Sequence, residues 1–164
     1  LRELKGAFAM LNTNSGRVFR ICTTPQPDDL DLAAFQALTY VEVSTVGSLG
    51  ETGNQQNILS YDSWNTHVIQ KQKGMTNAGD PELECAADAS DAGQAAMKAA
   101  AATKFYYAFE IEGDDKLTVG GTNGKRYNRG LVAGPRKPNG RNEDFDLIIF
   151  DLGLVQEEIE VLPT

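Results

Sequence analysis

A mainly β (α+β) fold, an antiparallel β-barrel or sandwich with one flanking α-helix, is what this 164-residue sequence predicts. Three observations lead there. Most apolar residues fall in short alternating runs bounded by Gly, Pro and Asn, the period-two signature of half-buried strands. A single alanine-rich segment, residues 89–103, combines high helix propensity with an acidic start. No βαβ rhythm runs through the chain, so a helix against an antiparallel core is the layer arrangement that remains.

Taken in order, residues 1–15 mix charge with scattered apolar groups (Leu4, Phe8, Met10, Leu11) and read as an N-terminal arm or a first strand. From Arg17 the alternation sharpens: Phe19 and Ile21 point one way, Val18, Arg20 and Cys22 the other, until Pro25 and Pro27 stop the strand. Asp28, Asp29 and Asp31 precede LAAFQAL, which reads as one or two helical turns with carboxylates at the favourable end. Tyr40, Val41 and Val43 resume a strand. A long loop follows over residues 44–79, with a strand fragment expected at Thr66–Gln70. Pro81–Ala87 alternates Leu83 and Cys85 against Glu82 and Glu84.

The flanking helix comes next, with Asp88 as the expected N-cap and Asp91 as its capping-box partner. Its body, AAMKAAAA, offers only Met97 as a large apolar residue, so its small side chains suit close approach to a sheet or a wedge between subunits. Phe105–Ile111 is the strongest strand, with Phe105, Tyr107, Phe109 and Ile111 on one face. Leu117–Val119, Arg126–Ala133 and Phe145–Leu154 read as further strands, separated by Gly- and Asn-rich turns. Residues 155–164 form either a last strand or a C-terminal arm leaving the domain.

The composition is that of a single globular domain. Fifteen basic residues against twenty-three acidic ones, a net charge of -8, argue against a protein that grips nucleic acid by its phosphates. No apolar run is long enough to span a membrane, and nothing at the N-terminus has signal-peptide form. Cys22 and Cys85 are far apart and read as small buried hydrophobes rather than a zinc site or a disulfide framework.

Catalytic chemistry finds little support. His67 is the only histidine, and no serine sits in a GxSxG frame. VGGTNGKR (119–126) departs from a phosphate loop twice, with Val119 for the first glycine and Arg126 where Ser or Thr is needed. Asp28, Asp29, Asp31, Asp114 and Asp115 lack calcium-loop spacing and are explained as solvated turns and caps. The expectation is a protein that is not an enzyme and has no cofactor.

The long loop is rich in Gly, Asn and Gln, yet Val46, Leu49, Ile58, Leu59, Tyr61, Trp64, Val68 and Ile69 punctuate it. A loop of this length inside a compact domain is uncommon unless it is functional. From the residues alone, a partner-binding segment and a pair of irregular strands with mobile turns fit equally.

Thr39–Gly53 (TYVEVSTVGSLGETG), Ile58–Tyr61 (ILSY) and Lys71–Gly79 (KQKGMTNAG) are followed by Asp88, Ser90, Asp91, Gly93 and Gln94 with the alanine-rich helix. Tyr107-Ala108-Phe109 and Gly130–Gly134 continue the order. Over residues 39–134 this series resembles the major tail tube protein of long-tailed, non-contractile (siphophage, lambda-like) bacteriophages, a family related in fold to the Hcp-like tube proteins of secretion systems. Asn77 departs from the family motif, which often has Asp there.

The resemblance implies one tail tube domain over residues 1–164, with the 44–79 loop acting between subunits. It implies a structural virion protein that self-assembles into hexameric rings, stacked into a tube that delivers DNA. Partners would be further copies, a tape-measure protein in the lumen, tail terminator and tail-tip proteins, and DNA in non-specific passage, with no membrane anchoring. Assembly would take place in the host bacterial cytoplasm. Val46, Leu49, Ile58, Tyr61, Trp64 and Val68 become candidate inter-subunit or inter-ring contacts; Glu82, Glu84 and Glu110 become candidate lumen-facing acids. The competing reading is a monomeric β-sandwich binding module of a tail tip or adhesin, recognising glycan or protein through Tyr61, Trp64 and Tyr127.

Overall fold

The computed structural model describes residues 11–164, so most of the expected N-terminal arm lies outside the described residues. Alternation produces the strands where it was strongest: β1 (Val18–Cys22), β2 (Tyr40–Val43), β6 (Glu82–Ala86), β7 (Tyr107–Glu112), β8 (Lys125–Arg136) and β9 (Leu147–Leu154). Two short strands, β3 (Val46–Leu49) and β10 (Ile159–Val161), join them. Among the described residues these make one eight-stranded antiparallel sheet in the order β2-β1-β7-β8-β9-β6-β3, with β10 also on β8. Residues 155–164 thus contribute a last strand instead of an arm leaving the domain.

The sheet's two end strands, β2 and β3, are consecutive in the chain and separated by Ser44 and Thr45 alone. Two residues reach about 7 Å, so the sheet must curl until its ends meet. At this corner the chain passes from pairing with β1 to pairing with β6, from one end of the curled sheet to the other. Thr45 adopts φ 58, a region costly for a β-branched residue. Hydrogen bonds hold it there: its Oγ1 donates to the Ala86 carbonyl at 2.7 Å, and its own carbonyl accepts from Ala86 N at 3.0 Å.

Inside the curl lies the main core, which includes Phe19, Ile21, Leu83, Cys85, Phe109, Ile148 and Phe150. The β9 strand, LIIFDLGL, alternates in burial along its whole length. Burial, with Asp91 and Glu84 nearby, pushes the Cys85 thiol up to about 11, so this cysteine behaves as a neutral apolar group. A smaller cluster of Cys22, Phe35, Ala108 and Tyr127 fills the opposite face, beneath α1 (Leu32–Ala37). Asp31 caps α1 by accepting from Ala34 N at 2.8 Å.

The flanking helix, α2, runs Ala92–Ala101, shorter than residues 89–103. Asp91 caps it instead of Asp88, because Asp88 is spent on a preceding turn in which its carboxylate accepts from Ser90 N and Oγ. The helix packs on β8, β2 and β1. Its small residues permit the approach: a Cβ on Gly93 would lie 2.0 Å from the Glu42 carbonyl oxygen. Buried Gln94 seals the corner, donating to the carbonyls of Ser44 and Ala86 and to Thr45 Oγ1 while accepting from Asp88 N.

Three strand expectations need correction. Leu117–Val119 forms no strand, and both Leu117 and Val119 are exposed. Phe105 and Phe145 are exposed just ahead of β7 and β9. Each lies beside a turn where no neighbouring strand reaches it, so periodicity overran the real start.

Candidate assembly surface

The 44–79 segment is more structured than a loop. Val46–Leu49 is strand β3, paired to β6 with Val46 opposite Cys85 and Leu49 opposite Leu83. Residues 55–77 form an independent two-stranded arm, β4 (Gln55–Tyr61) with β5 (Gln70–Asn77). The expected fragment at Thr66–Gln70 is largely the tip between these strands, because the chain reverses at 62–69, where Thr66 N donates to the Ser63 carbonyl. Ile58 sits opposite Lys73 and Ser60 opposite Lys71 on one face; Leu59 and Tyr61 sit opposite Gln72 and Gln70 on the other.

Glycines release the arm from the body. Gly53 (φ +118) and Gly79 (φ +104) stand at its two roots in backbone conformations that other residues resist. Beyond them the chain is pinned again: Gly50 N donates to the Glu82 carbonyl, and the Gly79 and Pro81 carbonyls accept from Leu154 N and Leu152 N.

Among the described residues nothing covers the arm. All seven residues of β4 are exposed, and so are Ile58 (69%), Tyr61 (73%), Trp64 and Val68 (74%), with Trp64 wholly in solvent. Together with Leu59, Ile69 and Met75 they exceed the scatter of single apolar residues on an ordinary surface. An isolated two-stranded hairpin is marginal in water, so these side chains gain little where they stand.

The six contact candidates therefore separate. Ile58, Tyr61, Trp64 and Val68 share the arm, whereas Val46 and Leu49 lie on β3, half-buried against the main core. Sequence reasoning missed this because β3 is only four residues long and its partner β6 lies more than thirty residues away.

The acid candidates also separate. Glu82 and Glu84 lie on the outward face of β6, with Asp151 opposite Glu82 on β9. Arg136 ties two of them together, at 2.8 Å from Glu82 and 3.0 Å from Asp151. Glu110 is 5% exposed and ion-paired with Arg20, so it does not face an open lumen from this chain. Alternation along β7 placed it correctly off the main core; α1 and its neighbours then covered that second face.

Tyr127 is buried as well, stacked on Phe35 with ring centroids 5.4 Å apart, which removes it from the proposed aromatic binding patch. His67 is exposed at the arm tip. Among the described residues no three His, Cys, Asp or Glu side chains are placed to hold a metal ion, and no helix is long and apolar enough to cross a membrane.

No protein-family model matches the chain, and no curated protein matches its sequence. Solved structures do share its fold. A chain of the anti-feeding prophage baseplate superposes with a TM-score of 0.64 at 8% identity, covering 94% of this chain and 98% of the other. A chain of the anti-feeding prophage tube-terminating cap gives 0.63 at 8% identity, with 99% of each covered. The SPP1 tail tube gives 0.60 at 15% identity, covering 88% of this chain and 75% of that one. At these identities the likeness is one of fold: a mainly antiparallel β architecture with a short flanking helix, as in tail-tube structures.

Proposed function

We propose that this chain is the structural subunit of a viral tail tube, of the non-contractile kind, self-assembling into stacked hexameric rings. One observation carries the reading. A body whose core is already closed holds out a 55–77 arm with its apolar side chains in solvent. Burial of Ile58, Tyr61, Trp64 and Val68 on a neighbouring copy would recover roughly 1.5–3 kcal/mol for each large apolar side chain, before the entropy of ordering them is subtracted. The fold shared with a tail tube and with baseplate and cap chains supports the same reading.

Under this reading the tube lumen holds a tape-measure protein and later passes DNA to the host, while terminator and tail-tip proteins close its ends. Glu82, Glu84 and Asp151 are the acids proposed for the lumen side, where like charge keeps the DNA backbone from binding. No catalytic, metal or cofactor role is proposed, and the protein is placed in the virion after assembly in the host cytoplasm.

The test is negative-stain microscopy over a concentration series, with hydrogen exchange across residues 44–79. Hollow rings or tubes whose formation slows exchange in 55–77 support the proposal. A protein that stays monomeric at every concentration and binds glycan or protein through the arm would be the tail-tip or adhesin module instead.

A further inference from the structure

The chain contains two Asn-Gly pairs, Asn123-Gly124 and Asn139-Gly140. In such a pair the glycine nitrogen can attack the asparagine side chain, because no Cβ stands beside it. Whether it does so depends on what holds the two groups, and the fold treats the two pairs differently.

Asn123-Gly124 lies in the connection from β7 to β8 and is restrained at both reacting groups. The Gly124 N–H donates to Asp115 Oδ1 at 2.8 Å. The Asn123 side chain accepts from Lys116 N at 3.2 Å and donates to Glu112 Oε1 at 3.3 Å. Gly113 N holds the Gly124 carbonyl at 2.9 Å, and both residues of the pair are half-buried. An N–H bonded to a carboxylate keeps its proton, and an amide held at both of its polar atoms does not turn toward it.

Asn139-Gly140 lies in the loop from β8 to β9, where KPNGRN has turn chemistry. Both residues are exposed, and among the described residues the Asn139 amide has no hydrogen-bond partner. Gly140 N donates to the Pro138 carbonyl at 2.6 Å, closing a three-residue turn with Asn139 at φ 55. A turn of this hand is strained, and here water reaches it, so it opens readily. The flanking charges are mixed: Lys137, paired with Asp146 at 3.7 Å, and Arg141 stand on either side. Asp144 lies against Gly140 and accepts from Arg141 N at 2.7 Å. The two pairs therefore differ in restraint more than in field. The described chain enters the body at the other end of β8, where Gly16 lies against Asp114.

We infer that Asn139 is a site of non-enzymatic deamidation in the folded protein and that the fold protects Asn123. Gly140 N attacks Asn139 Cγ and forms a new C–N bond. The Cγ–Nδ2 bond breaks, and Nδ2 leaves as ammonia with the proton released from Gly140 N. Water, the one co-reactant, then opens the cyclic imide. Attack at Cγ restores the main chain with an aspartate; attack at the backbone carbonyl leaves isoaspartate, with the chain running through Cγ. Either product adds one negative charge to a chain of net charge -8, close in sequence to Arg136, which bridges Glu82 and Asp151. The inference is independent of the assembly reading.

The test is incubation of the intact wild type in mildly alkaline, heavy-oxygen water, followed by peptide mass spectrometry. Asn139 should convert about ten-fold faster than Asn123 or more, the factor that one hydrogen bond to a charged group supplies. In urea both pairs lose their restraints, and the rates should draw to within about three-fold of each other. Asp115→Ala, which frees the Gly124 N–H, should speed Asn123 several-fold and leave Asn139 unchanged. The wild-type comparison stands whether or not that variant folds. Isoaspartate and aspartate should both form, each with a heavy oxygen incorporated. If the folded protein converts Asn123 as fast as Asn139, or if the difference persists in urea, the assignment is wrong. Aspartate as the sole product would overturn the route through Gly140 N.

Discussion

The barrel body and the β4–β5 arm use the same kind of strand to opposite ends. In the body, β9 buries every second residue against a core that also holds Phe19, Leu83 and Phe109. In the arm, β4 is one residue shorter and carries Ile58, Leu59 and Tyr61, yet among the described residues no layer lies over either face. Hydrogen-bonded pairing alone does not make a stable unit; burial of one face does. Among the described residues the body buries its own core, while the arm leaves its apolar side chains in solvent.

Substitutions should therefore divide sharply between the two regions. Phe150→Ala, at a fully buried site, should cost about 3–5 kcal/mol in urea unfolding. A loss below ~1 kcal/mol would mean that the core is not closed in the free chain. Gln94→Ala removes a buried group that bonds to Ser44, Thr45, Ala86 and Asp88, and should cost about 1–3 kcal/mol. Gly93→Ala should destabilise by a similar ~1–3 kcal/mol despite alanine's better helix propensity, since the added Cβ meets the Glu42 carbonyl. Thermal unfolding of the two variants checks both.

Trp64→Ala belongs to the other side of the comparison. Monomer stability should stay within about 0.5 kcal/mol of wild type, while light scattering shows assembly weakened or lost. A variant that unfolds early would place Trp64 in the body's energetics after all.

The smallest effect is a matter of pH. Burial works to raise the Glu112 carboxyl, but hydrogen bonds from Arg20 and Asn123 outweigh it and hold the group below the usual carboxylate range. A depressed folded value contributes stability above the unfolded carboxylate's pKa and loses it as pH falls through the folded value. The body should weaken on acidification, and Glu112→Gln should flatten part of that slope in urea titrations between about pH 7 and pH 3. Monomeric arm exchange, by contrast, should follow only the intrinsic amide chemistry.

Much of this division was legible beforehand. Alternation at Phe19 and Ile21, Tyr107 to Ile111 and Ile148 to Leu154 identified the body's strands, because a half-buried strand has a period of two in any context. Of the candidate contacts, the four on the arm were readable as apolar residues in a polar, glycine-rich stretch. Val46 and Leu49 were not separable from them, since only the pairing of β3 with β6 distinguishes a covered side chain from an exposed one.

The sequence by itself determined the mainly antiparallel β class, the alanine-rich helix, the small-residue face that lets it approach the sheet, and the anomalous apolar content of 55–77. These rest on local periodicity, propensity and composition. Tertiary structure alone decided that β2 turns into β3 at Thr45, that Glu110 meets Arg20, and that Tyr127 lies beneath α1. Each depends on which distant strand or helix lies alongside. Periodicity tells which residues share a face; it does not tell what covers that face.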